Sequence, residues 1–301
     1  MTSPGLLGFR VAPNATQGID WAALDAIWTA GGSRDVFSAG WLSDHLSDAT
    51  RERGGTAFES LTTAAALAHR MPGKWIGIAV LANTFRHPAI VAKAATAIDN
   101  ATGGRFVLGL GAGWHEGEHR AFGIPLPPMP DRFVRYESAV ATLAALFSDG
   151  AREAPGVTRE DPFYPLEGAT LQPAPMRAGG PALWLGGQRR RGIDLAARFA
   201  DGWIMPGTMA GRVEYFGERR SEILRALEAH RRDTAAFAFA GQVEVLLDPA
   251  GLRLAREVAL GFIRAGASHV ALGIEGRTGP DGLMTMAREV ALPIVEAVGR
   301  T

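Results

Sequence analysis

Asp44 and His45 stand side by side in Trp41-Leu42-Ser43-Asp44-His45, where an apolar run over 35–42 gives way to polar residues. Neighbours on a strand point to opposite faces, so one of the two is directed to a ligand side and the other to the wall. Histidine is the side chain best suited to exchanging protons near neutral pH. His45 is therefore a candidate acid or base, with Asp44 as its companion. A loop cap by Asp44 beside a solvated His45 is the bland alternative.

A second stretch, TGGRFVLGLGAGW over 102–114, runs as a buried strand into glycines at 109, 111 and 113. Glycines at a strand end let the main chain approach a ligand and leave N–H groups to donate, which makes Gly111, Ala112, Gly113 and Trp114 candidate cofactor contacts; a tight, packed turn is the alternative. The run lacks the last glycine of the dinucleotide fingerprint, since Trp114 stands there. His115-Glu116-Gly117-Glu118-His119 spells H-E-x-x-H, a zinc motif when it lies within a helix. Here it follows a glycine loop and has Gly117 at its centre. Glu137 is the one further ligand to propose, and no metal site is assigned. Gly186-Gly187-Gln188, followed by Arg189, Arg190 and Arg191, sets free amides and positive charge at an expected helix start, which suits a phosphate; three arginines on a solvated turn is the competing reading. Trp41, Trp114, Trp184 and Trp203 fall at or near strand ends, and any two facing a common mouth would line a cavity for a flat ring.

These residues need a frame. Hydrophobic periodicity predicts strands over 6–12, 35–42, 75–81, 105–110, 182–187, 201–205, 242–247 and 269–274. It predicts helices over 20–30, 59–70, 89–98, 131–147, 192–199, 213–230, 252–264 and 283–297. Eight such units in one compositional regime argue for an α/β fold, a (β/α)8 TIM barrel forming a single domain over 1–301, with a doubly wound sheet as competitor. Chemistry in such barrels sits at the strands' C-terminal ends, here Asn14, Asp44 and His45, Asn83, 111–114, 186–188, 205–207 and Glu275. The Pro- and Gly-rich segment over about 148–180, before the fifth strand, reads as an insertion and functional lid.

Composition bounds the rest. Apolar residues at 47% and charged residues at 21% suit a globular enzyme. Basic and acidic residues both number 31, which gives no electrostatic footprint for nucleic acid. Cysteine is absent, which excludes disulfides and thiolate chemistry. No apolar run approaches the ~20 residues of a membrane span, and the N-terminus does not read as a signal peptide. A cytoplasmic protein acting on a small molecule is expected.

The phrases WLSDH (41–45), GIAVLANTFRHPAIVAKAATAIDNATGGRFVLGLGAGWHEGEHRAFG (77–123), DRFVRYESAVATLAALF and LWLGGQRRRGIDLAARFADGW (183–203) resemble the bacterial luciferase-like superfamily of flavin and deazaflavin oxidoreductases. The resemblance spans nearly the whole chain and is strongest to the branch using coenzyme F420. It implies a barrel with an insertion, a homodimer, and a cofactor at the barrel mouth that passes a hydride to a small organic substrate. It also implies that His45 exchanges protons with substrate or cofactor, with Asp44 near the ring's polar edge. A non-prolyl cis peptide at Ala79-Val80 would back the deazaflavin, Asn83 would border it, and Gly113, Trp114 and Gly186, Gly187 and Gln188 would meet the phosphate. An FMN-dependent monooxygenase using reduced flavin and oxygen is the alternative within the superfamily; a non-catalytic flavin-binding barrel and an HExxH zinc hydrolase are the readings from other classes. The sugar-phosphate dehydrogenases of the branch carry a substrate-directed glutamate where this chain has Trp114, which argues against that substrate. The lid and the tryptophans point to an apolar or aromatic one.

Overall fold

The computed structural model describes residues 3–12, 19–47 and 56–299. Asn14 lies outside them. In chain order the elements are β1 (Leu7–Ala12), α1 (Trp21–Gly32), β2 (Ala39–Leu42), α2 (Ser60–Leu67), β3 (Trp75–Ala82), α3 (Pro88–Ala101), β4 (Phe106–Gly111), α4 (Glu116–Ala121), α5 (Met129–Phe147), β5 (Val157–Arg159), β6 (Leu166–Ala169), β7 (Ala182–Leu185), α6 (Arg190–Phe199), β8 (Gly202–Ile204), α7 (Val213–Ala229), β9 (Ala238–Glu244), α8 (Pro249–Arg264), β10 (His269–Glu275), α9 (Gly279–Met286) and α10 (Leu292–Gly299). Eight strands close in the order β1-β10-β9-β8-β7-β4-β3-β2, all neighbours parallel, while β5 and β6 form a separate antiparallel pair. The barrel is closed, and the doubly wound alternative is excluded.

Alternation along each strand sorts side chains into two layers. Phe9, Ile76, Leu108, Leu185, Trp203, Val243 and Leu272 are buried in the larger cluster that the helices cover. Trp41, Trp75, Val107, Trp184, Ala240 and Ala271 form a second cluster that fills the barrel lumen. Trp41 and Trp184 thus plug the barrel, their ring centroids 5.2 Å apart. Trp203 packs on the helical side, its indole N–H donating to the Gly187 carbonyl at 2.8 Å. Of the four tryptophans considered as mouth residues, Trp114 is the exposed one.

The helix boundaries follow local chemistry. Asp20 caps α1 by accepting from the Ala23 N–H, Asp248 caps α8, and Pro88 opens α3. The single C-terminal helix expected over 283–297 is interrupted by a π segment at Ala287–Ala291. Pro293 has no N–H to give the Glu289 carbonyl four residues back, and Arg256 donates to that carbonyl instead, at 2.6 Å.

The segment over 148–180 contains the β5–β6 hairpin and binds the outer helical layer. Arg159 pairs with Asp161 and donates to Thr142 on α5, Lys93 and Asn100 on α3 donate to the Gln172 and Ala174 carbonyls, and Asp99 accepts from the Met176 N–H. These contacts make it a clasp across α3 and α5. Its approach to the strand-end side is Tyr164, whose ring meets His87 at 5.1 Å.

One buried titratable group anchors the plug. The Trp41 indole N–H donates to His269 Nε2 at 2.8 Å, and His269 Nδ1 donates to the Gly5 carbonyl at 2.5 Å. Burial holds this imidazole neutral, its pKa lowered from 6.5 to about 4. In the unfolded chain it regains its ordinary affinity for protons, so its contribution to stability is whole above pH 6.5 and is lost as the pH falls towards 4. Denaturant unfolding should therefore show stability declining across that window, with a flatter slope in His269→Gln.

Candidate active site

β2 ends in Leu42, which packs outward under the helices, so alternation sends Asp44 outward and His45 towards the mouth. Asp44 enters the seam between β2, β3 and α2, where its side chain is fully buried. One carboxylate oxygen accepts from Ser60 Oγ at 2.7 Å and an Arg86 N–H at 2.7 Å; the other accepts from the Ala82 N–H and a second Arg86 N–H, both at 2.8 Å. Arg86 also pairs with Glu59. Burial works against the guanidinium's charge, but Asp44 and Glu59 together raise its pKa above the ordinary value. Each Asp44 oxygen accepts two hydrogen bonds, which fix the β2 end to β3 and α2.

His45 is held differently. Its Nδ1 lies 2.8 Å from Glu118 Oε2, and the other Glu118 oxygen accepts from the Leu46 and Ser47 N–H groups at 2.7 and 3.0 Å. Burial would raise the Glu118 pKa, but the His45 hydrogen bond and charge and the two backbone donors outweigh it and leave it lowered. Glu118 is thus an anion inside the fold. It makes His45 Nδ1 the donor, and His45 Nε2 has no hydrogen-bond partner among the described residues. Trp114 and His115 stand edge-on to the His45 ring, with centroids 6.1 and 6.2 Å away.

Glu118 belongs to the H-E-x-x-H stretch, which is not the loop that its central glycine suggests. It forms α4, with His115 as N-cap accepting from the Glu118 N–H at 3.1 Å. The last histidine of the motif is engaged at both nitrogens: His119 Nδ1 contacts the His115 carbonyl and Nε2 contacts Thr84 Oγ1, each at 2.7 Å. Among the described residues no three His, Asp or Glu side chains group as a metal site would need.

The floor of the mouth is made by β3 and β4. A cis peptide joins Ala79 and Val80, and the β3–β4 register shifts between Ile78 and Leu81. Val80 faces the glycines of β4: a Cβ on Gly111 would lie 2.8 Å from a Val80 methyl, and one on Gly109 would lie 2.0 Å from the Ile78 carbonyl oxygen. Side chains are excluded there by close packing of the floor, a reason distinct from ligand approach. Gly113 has φ +85°, which favours glycine, and brings the loop onto Thr84. Ala112 packs at the edge of the core. Asn83 is buried, and its N–H donates to the Gly111 carbonyl at 2.9 Å. Gly186 faces Val80 from β7, at 3.7 Å from its methyls by the same measure. Gly187 and Gln188 lead into α6, whose N-cap position, Arg189, makes no side-chain cap. Tyr215 donates to the Gln188 side chain at 2.9 Å. The structure therefore gathers Val80, Gly111 and Gly186 around one floor, while His45 follows β2, the strand that pairs with β3. Arg86 and Glu118, which fix Asp44 and His45, were not singled out by sequence as their partners.

Residues 9–288 match the family model for the luciferase-like monooxygenase. The chain belongs to that family. It is 31% identical over 230 residues to the phthiodiolone/phenolphthiodiolone dimycocerosates ketoreductase of Mycobacterium tuberculosis, covering 71% of this chain and 55% of that protein. It is 30% identical over 173 residues to the FMNH2-dependent dimethylsulfone monooxygenase of Pseudomonas putida, covering 57% and 42% respectively. The chain thus spans about half the length of these curated relatives. In fold it resembles an F420-dependent secondary alcohol dehydrogenase solved with an F420-acetone adduct, at a TM-score of 0.74 and 17% identity, over 96% of this chain and 99% of that one. The proteins it is similar to thus include one described as FMNH2-dependent and, in fold, one described as F420-dependent.

Removing one partner of a buried ion pair strands the other charge, at a cost of about 3–5 kcal/mol. Arg86→Ala should lose about that much stability in urea unfolding, and adding Asp44→Ala should restore part of it. A loss below about 1 kcal/mol, the range of an exposed pair, would show that the clamp does not carry the β2 end.

Proposed function

We propose that this protein is an oxidoreductase that binds a reduced deazaflavin of the coenzyme F420 type at the barrel mouth and passes a hydride to a small organic acceptor, with His45 exchanging the accompanying proton. The observation that carries this reading is the His45–Glu118 pair, which leaves Nε2 as the exchangeable position after β2, the strand beside the β3 that carries Val80. The Val80–Gly111–Gly186 floor is narrow and free of side chains from two strands, which suits a flat ring. The turn at Gly186, Gly187 and Gln188 and the uncapped start of α6 offer N–H donors to an anionic tail.

When bound, reduced deazaflavin supplies a two-electron hydride. The chain's own residues handle the proton. For a carbonyl acceptor, the acceptor used by the mycobacterial ketoreductase, the carbon gains hydride as the oxygen takes the proton from His45 Nε2, giving an alcohol and a neutral imidazole. The Glu118 carboxylate keeps the proton on Nδ1 throughout, so the transfer is confined to Nε2. Asp44 acts as a positioning residue through Arg86 and Ser60. Trp114, exposed beside His45, gives the acceptor an apolar edge. A homodimer and a cytoplasmic location complete the proposal on the strength of the superfamily resemblance; among the described residues no helix is long and apolar enough to cross a membrane.

The monooxygenase reading, with FMN and oxygen, is favoured by the likeness to the dimethylsulfone enzyme. Binding titrations of purified protein separate the two. F420 should bind and FMN should bind far more weakly; tight FMN binding with no affinity for F420 would replace the first reading by the second. With an acceptor in hand, His45→Ala should lower turnover by about 10²–10⁴ at unchanged cofactor affinity. Glu118→Gln should lower it less and shift the pH profile, because the imidazole loses its anionic partner.

A further inference from the structure

Arg10, Gly273 and Glu244 lie side by side on β1, β10 and β9, Arg10 in register with Gly273 and Gly273 with Glu244. Each follows, at even spacing, a residue that faces the lumen. These are Gly8, where a Cβ would lie 2.7 Å from Trp41 Nε1, and Ala271 and Ala240 of the lumen cluster. Even spacing keeps a strand's side chains on one face, so all three point inward. A Cβ on Gly273 would lie 2.7 Å from Glu244 Oε2 and 3.1 Å from Arg10 Nη2. Arg10 and Glu244 therefore form their ion pair across the bare backbone of Gly273.

The pair belongs to the mouth. Trp41 approaches β1 through its Nε1 and β3 through its six-membered ring, which would lie 2.2 Å from a Cβ on Gly77. The next inward residues on those strands are Arg10 and Ala79, and Ala79 and Val80 pack on the same lumen cluster. One indole thus supports the ion pair on its β1 side and the Val80 end of the floor on its β3 side.

The two charges are unequally placed. The Arg10 side chain is 5% exposed and that of Glu244 45%. Glu244 Oε1 accepts from Arg10, and among the described residues none donates to Oε2. Gln242, the inward residue beneath Glu244 on β9, is buried and donates its amide to the Met205 carbonyl at 2.5 Å. A carboxylate held at one oxygen by a guanidinium and open at the other accepts a hydroxyl or amide N–H and repels an anion.

We propose that Glu244 is a specificity-determining residue of the mouth, accepting a hydrogen bond from a hydroxyl or amide N–H of the acceptor and excluding anionic acceptors. The proposal rests on the reading above that the acceptor is a small carbonyl compound. Arg10 holds Glu244 in place.

Cyclohexanone, 4-hydroxycyclohexanone and 4-oxocyclohexanecarboxylate differ in the group set across the ring from the carbonyl. Their binding to the full chain, by saturation-transfer NMR with and without F420, and their turnover with reduced F420 test the site. Wild type should bind the hydroxyketone about tenfold more tightly than cyclohexanone, and the keto acid most weakly. In Glu244→Gln the buried Arg10 loses its counter-charge, so the order should invert and the keto acid should bind best, a change that a merely structural role would not produce. Should that variant fail to fold, Arg10→Met/Glu244→Leu removes both charges and should abolish the preference for the hydroxyl and the bias against the carboxylate. Equal binding of the three by wild type, binding of none, or an order unchanged in the folded variants overturns the proposal. A Glu244-dependent order of binding without reduction by F420 would sink the deazaflavin reading and leave this site standing. Equal reduction of all three, untouched by Glu244→Gln, would do the reverse.

Discussion

One buried carboxylate does much to hold the mouth of this barrel together. One oxygen of Glu118 meets the His45 ring, with His115 Nδ1 at 3.6 Å, and the other accepts from the backbone that follows His45. A charge this deep is tolerable only because several donors converge on it. The convergence ties α4, which follows β4, to the loop that follows β2. Strands two places apart in the barrel therefore share one electrostatic fixture, and the imidazole's tautomer is settled by the same contacts that position the loop. Asp44 repeats the device one residue earlier, on the other side of the wall, with Arg86 as its partner.

The barrel and its strand ends were legible because burial periodicity and turn residues are local signals. The Asp44-His45 pair was legible as a strand-end feature for a similar reason, since alternation sends two neighbours to opposite faces without saying which takes the mouth. Glu118 was not, since its meaning depends on a residue 73 positions away. The H-E-x-x-H spelling also drew the eye to metal ligands, although its spacing equally sets one glutamate a turn behind an N-cap. Gly117 reads as a loop residue in isolation, yet α4 forms around it because His115 caps the helix and Glu118 anchors it. Tertiary contact overrides propensity there.

The tryptophans teach the complementary lesson. Position near a strand end does not say which face a side chain takes, and a shift of one residue sends it to the other layer. Trp41 and Trp184 went to the lumen and Trp203 to the helices. The insertion was visible as Pro- and Gly-rich chain, but its destination was set by polar partners on α3 and α5, such as Lys93, Asp99 and Thr142, that composition does not reveal.

The filled lumen has a stereochemical consequence. With Trp41, Trp184 and His269 packed beneath Val80 and the β4 glycines, a planar ring laid on that floor has one face pressed to protein. On the function proposed above, only its outer face would meet an acceptor, and each turnover would use the same side of the ring. The handedness of the product then depends on how the surrounding loops orient the acceptor.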